Sequence, residues 1–172
     1  MTELNLFNLE VQVDFAFVVA LIVIFSLIAI SVTDYKKNVI PDFMCATLFV
    51  GALFDYLQEV ISNGFVIKAL VNRVAGLFAV SIFFLLVALI TNGGIGGGDI
   101  KMTAAAGFLL GVPYIFVAFV LSYLFAAVFV FISGGFKKNN MKKSVPIGPY
   151  LSMGILVTMC FGDKILQWFL RL

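Results

Sequence analysis

Six apolar runs separated by short polar breaks organise the chain, and each is long enough to form a helix. They cover residues 15–32, 43–60, 74–91, 99–112, 114–133 and 145–161. From Met102 to Phe136 there are 35 residues without a charge, about 52 Å as one straight helix against a hydrocarbon core of about 30 Å. That run must break, and Gly111 and Pro113 supply the place, because proline removes a backbone donor and disfavours helix in the residue before it. The fourth helix is then short, about 21 Å for its 14 residues, which leaves Asp99 below the cytoplasmic headgroups if its far end reaches the outer surface. Residues 1–14 place Leu4, Phe7 and Val11 at helical spacing among acids and amides, as expected of an interfacial or flexible segment. The tail from 163 to 172 carries Trp168 among charges, the pattern of an interfacial anchor. With no repeat or linker, residues 1–172 are expected to form a single membrane-embedded domain.

Composition fixes the class. The chain is 63% hydrophobic and 12% charged, whereas soluble domains run at about half and about a quarter. An all-α integral membrane protein is expected, a bundle of about six transmembrane helices. No Lys or Arg precedes Lys36, so the first apolar run does not fit a cleaved signal peptide and is expected to stay in the mature protein. Alternate loops collect Lys36, Lys37, Lys101, Lys137, Lys138, Lys142 and Lys143 on one side, against Lys68, Arg73, Lys164 and Arg171 on the other. The richer side is expected to be cytoplasmic, with both termini on the far side. The cluster from Lys137 to Lys143 reads as an anchor on anionic lipid headgroups. A net charge of +2 adds nothing, and no nucleic-acid partner is expected. Cys45 and Cys160 are the only cysteines and histidine is absent, so neither a metal set nor a Cys/His nucleophile is expected. The two thiols fall toward opposite faces and read as small buried side chains.

Candidate chemistry lies at the breaks. Gly93-Gly94-Ile95-Gly96-Gly97-Gly98-Asp99 sets a carboxylate and flexible backbone between two apolar runs, and carboxylates at membrane depth are functional candidates that call for a partner. Asp34, after the first apolar run and on the same side, is that partner. The glycine run is not a phosphate cradle, since Asp99 follows Gly98 where the pattern requires Lys-Ser/Thr. It reads as backbone that reaches left-handed φ and passes close to an extended peptide.

Three ordered segments are more specific than their parts. Gly96-Gly97-Gly98-Asp99 with the helix after it resembles the Gly-x-Gly-Asp motif of the type IV prepilin peptidases, which are membrane aspartic proteases. Thr33-Asp34 through Ile40-Pro41-Asp42 resembles that family's first aspartate segment, and Pro146-Ile147-Gly148-Pro149-Tyr150 its third motif. The resemblance implies that Asp34 and Asp99 are the catalytic pair, that Gly96 and Gly98 shape an active loop, and that Lys101, Pro146, Gly148 and Pro149 complete it. It also implies the bacterial cytoplasmic membrane as location, no cofactor, and prepilin or pseudopilin precursors as partners, cut after a short basic leader. The zinc-binding Cys-x-x-Cys insertion of many members is not present in this sequence, as expected of a short, peptidase-only branch. Asp42 stands where the family often has Asn, and its position after Pro41 suggests the N-cap of the second helix.

Two neighbouring carboxylates cannot both ionise easily, so a pair holds one proton between them. One can activate water while the other polarises the scissile carbonyl and protonates the leaving amine. Other classes compete. A small transporter or channel subunit also uses broken helices near intramembrane charge, but the two halves of the chain do not echo each other. A presenilin-like protease shares the Gly-x-Gly-Asp motif but not the Pro146 to Tyr150 match.

Overall fold

The computed structural model describes residues 3–132 and 146–171, which form six helices and, among the described residues, no strand. They are α1 (Glu3–Lys37), α2 (Asp42–Asn63), α3 (Ile67–Ile90), α4 (Gly97–Leu110), α5 (Tyr114–Ile132) and α6 (Gly148–Leu170). Four are long and apolar enough to cross a membrane: α1 over Phe15–Lys37, α2, α3 and α5. The α4 helix has 14 residues, as expected from the break at Gly111. Lys137, Lys138, Lys142 and Lys143, and the ends of the expected fifth and sixth runs at Ser133 and Val145, lie outside the described residues.

Several boundaries differ from the sequence expectation, each for a local reason. The first apolar run was expected to stop before Asp34, but α1 continues through it to Lys37. The helix closes at Asn38, whose φ of 50° is left-handed and whose N–H donates to the Asp34 carbonyl at 2.7 Å. Lys36 and Lys37 lie in this last turn, where cations complement the negative helix end. Asp42 is not the cap of α2. Pro41 holds that position with no side-chain cap bond, and Asp42 instead accepts an ion pair from Lys101 Nζ at 2.6 Å. The α3 helix starts at Ile67 rather than near residue 74, because Arg73 finds its partners within the bundle. Residues 3–14, expected to be interfacial or flexible, are helical, and so is the tail expected as an interfacial anchor, through Leu170.

At the centre lies α4, packed on α2, α3, α5 and α6. Met102, Thr103, Ala105 and Ala106 are buried, and the core is completed by Leu27, Ile30, Leu48, Phe84, Leu151 and Ile155. Close approach to α3 is set by Gly76 and Gly107, where a Cβ on either would run into the other's carbonyl oxygen. Small residues let apposed membrane helices pack at short range, where apolar burial alone gives little drive. At its far end α4 terminates at Gly111, whose φ is +69°. Phe25, Ile90 and Phe131 are exposed on the outside, the surface expected to meet lipid.

Candidate active site

The α1 and α6 helices run antiparallel, with the Ser152 hydroxyl donating to the Leu27 carbonyl at 3.1 Å. This pairing carries the start of α6 alongside the last turn of α1. There Asp34, only 6% exposed, accepts the Gly148 N–H on Oδ2 at 2.8 Å. The first N–H groups of a helix have no intrahelical acceptor, so a carboxylate at that position satisfies one of them. Gly148 must be small, since a Cβ would sit 2.8 Å from Asp34 Oδ2 and 2.9 Å from its Cβ. Pro149 follows within the first turn, where its missing donor costs nothing and its fixed φ suits the helix. Tyr150 is buried with its ring 5.5 Å from that of Phe129.

Asp99 stands in the first turn of α4 and is partly buried, its carboxylate accepting no hydrogen bond among the described residues. The parent helices α1 and α4 do not pack on each other. The turn after α1 joins the two aspartates. Ile40 lies so close to Gly98 that a Cβ there would fall 2.6 Å from Ile40 Cβ and 3.0 Å from its carbonyl oxygen. With Ile40 seated on the start of α4, Asp34 and Asp99 come within electrostatic reach of each other at one end of the bundle.

The glycines divide their work differently from the expectation. Between Gly93 and Gly98 only Gly93 takes positive φ, at +94°, just after Asn92 at 50°. Gly96 is extended at φ −66° and ψ 138° and caps α4, while Gly97 and Gly98 are already helical. Gly98 is required for space, and a Cβ at Gly96 would come only as near as 3.3 Å to Asp99 Oδ2. Lys101, expected beside Asp99, points to Asp42 on α2. Cys45 is buried, with its thiol 3.7 Å from the Gly98 carbonyl, whereas Cys160 is exposed, contrary to expectation.

One neighbour carried no sequence signal. Tyr123 on α5 stacks on Phe119 at 4.7 Å and lies within electrostatic reach of Asp99. It is hidden in the unbroken apolar run of α5. Pro146 and Ile147, half-buried, lead into α6 and bring its first turn to Asp34.

Comparison with known proteins gives the family. Residues 21–131 match the type IV leader peptidase family. The prepilin leader peptidase/N-methyltransferase of Bacillus subtilis is 28% identical over 159 residues, covering 89% of this chain and 59% of that protein. Its namesakes in Aeromonas salmonicida and Aeromonas hydrophila are 29% and 30% identical, each covering 88% of this chain and 52% of theirs. The chain therefore spans about half the length of the curated relatives it matches. No solved structure matches it. Because the family match covers more than half of the chain, from within α1 nearly to the end of α5 with both aspartates included, this chain belongs to the type IV leader peptidase family.

Proposed function

We propose that this chain is a membrane aspartic endopeptidase that removes the short basic leader of prepilin or pseudopilin precursors at the cytoplasmic face of the bacterial inner membrane. The observation that carries this reading is that Asp34 in the last turn of α1 and Asp99 in the first turn of α4 lie at one end of an apolar bundle, where Ile40 packs against Gly98. Family membership supports the substrate class, and the named relatives carry prepilin leader peptidase in their names. It favours neither the transporter nor the presenilin-like alternative.

In this mechanism one aspartate takes a proton from water as it attacks the scissile carbonyl. The other gives its proton to the carbonyl oxygen; as the tetrahedral intermediate collapses and the C–N bond breaks, the first aspartate passes the proton it took from water to the departing amine, and the second recovers its own from the hydroxyl. Gly96 and Gly98 form the rim next to Asp99, with Lys101 turned away to Asp42, and Pro146, Gly148 and Pro149 form the rim next to Asp34. Six helices span the membrane, the short α4 holding Asp99 at the cytoplasmic end, with both termini outside. A basic leader would be drawn to a mouth carrying Asp34, Asp42 and Asp99 and to anionic lipid beside it.

The test is cleavage of prepilins encoded by the same organism, by the full chain in membranes. A shortened product with the apolar helix at its new N-terminus is expected, and intact precursor would overturn the reading. Orientation has its own test. In a background with Cys45 and Cys160 replaced, Asn63→Cys should react with an impermeant thiol reagent in intact cells and Asn139→Cys should not. The reverse pattern would invert the topology.

A further inference from the structure

The two aspartates are held differently. Asp34 is buried, and one of its two carboxylate oxygens is committed to the Gly148 N–H. Its other oxygen, Oδ1, accepts no hydrogen bond among the described residues, and Asp99 accepts none on either oxygen. The Gly148 N–H is the first of α6, so the positive end of that helix's dipole lies against Asp34. Nothing but glycine fits there, because any Cβ would press on Asp34 Oδ2, Cβ and Cγ together, at 2.8, 2.9 and 3.1 Å. Ile147 accepts the Tyr150 and Leu151 N–H groups, so the turn that offers the Gly148 amide is itself fixed.

We infer that Gly148 is a positioning residue: its backbone amide locks the Asp34 carboxylate through Oδ2, presenting Oδ1 as the oxygen that faces Asp99 and the substrate. The inference deepens the peptidase reading above and rests on it. It separates the third sequence segment from a substrate grip, because an element that orients Asp34 acts on turnover and an element that holds the peptide acts on affinity. Displacement of a reacting group by about 1 Å can cost about a hundredfold in rate. Loss of an interaction realised only in the transition state lowers kcat and leaves KM alone.

Two measurements test it on the full chain in detergent micelles or liposomes. With a prepilin cleaved by the wild type as substrate, Gly148→Ala should lower kcat by about a hundredfold with KM within about twofold. A raised KM at unchanged kcat would overturn the inference and make this segment a peptide grip, and unchanged kinetics would overturn it outright. The second measurement needs no activity and covers the case of a Gly148→Ala chain that does not fold. Amide hydrogen exchange at Gly148 should be slow in the wild type, remain slow in Asp34→Asn, which keeps an acceptor, and speed up in Asp34→Ala. Equal exchange in all three chains would remove the lock. If the wild type cleaves no prepilin, the proposed function falls, while the exchange pattern still decides whether Gly148 holds Asp34.

Discussion

The two ends of the bundle treat charge in opposite ways. At the end away from the aspartate pair, Arg73 enters from α3 and is only 13% exposed. Its guanidinium donates to Asp55 at 2.8 Å, to Glu59 at 2.7 Å, and to the Leu109 carbonyl at 3.2 Å, and it lies 5.5 Å from the centre of the Tyr56 ring. Opposite charges and the negative end of α4 are thereby satisfied by one side chain, which ties α2, α3 and the end of α4 together. Nearby, Tyr114 donates to Asp163 beside a cavity of about 360 Å³. At the other end two carboxylates lie within electrostatic reach of each other, and a single backbone amide is the only hydrogen-bond donor to either side chain among the described residues. One end fastens the central helix, and the other leaves two carboxylates with a single donor between them, as the proposed chemistry requires. The short α4 connects them, with Arg73 bonded at its last turn and Asp99 in its first.

The comparison is broken most severely by removing the free carboxylates. Asp34→Asn and Asp99→Asn should each lower leader cleavage by about ten-thousandfold, since acid and base act as a unit, while the melting temperature in detergent stays close to wild type. Cleavage near the normal rate by either variant would remove the pair from the chemistry. Asp34→Asn also keeps an acceptor for Gly148, so a folding defect in it would be unexpected.

Arg73→Gln attacks the fastened end. Loss of one partner of a buried ion pair costs about 3–5 kcal/mol, and the partial exposure of Asp55 and Glu59, 41% and 38%, reduces this to about 2 kcal/mol. Detergent denaturation should show that loss, with the activity of the remaining folded fraction unchanged. A variant as stable as wild type would show that the clamp holds nothing.

The glycines sharpen the division within the reactive end. Gly98→Ala drives a methyl into Ile40 and should slow cleavage about tenfold with a stability loss of about 1–3 kcal/mol, because overpacking displaces the turn after Asp34. Gly96→Ala already has a φ that alanine accepts and should change the rate by less than about threefold. Equal effects of the two, measured as initial rates in liposomes, would point to loop flexibility rather than space. The smallest effect belongs to Asp42→Asn. It breaks an ion pair whose side chains are 73% and 54% exposed, worth about 0.5 kcal/mol or less, and cleavage should stay within about twofold.

Much of this protein was legible from residue order alone. Hydropathy over roughly twenty residues at a time reports helices in lipid, because every backbone group there must be bonded within its own segment. It therefore located six helices, the break at Gly111 and the short α4, while carboxylates at membrane depth and the resemblance of three motifs made Asp34 and Asp99 the candidates. Local conformation was less visible. The glycine run looked like a loop of left-handed residues, yet Gly97 and Gly98 joined α4, because the space at Ile40 rather than φ demanded the missing side chain. Asp42 had the position of a cap and found Lys101, and Arg73, counted only as an outer charge, became the inner clamp of α4. Only the tertiary structure decided these, and with them the Gly148 contact to Asp34 across 114 positions of chain. The sequence determines how strongly each segment prefers lipid and helix, a property of neighbours. Which carboxylate meets which amide depends on the packing of helices against one another, and that contact leaves no periodic trace in either segment.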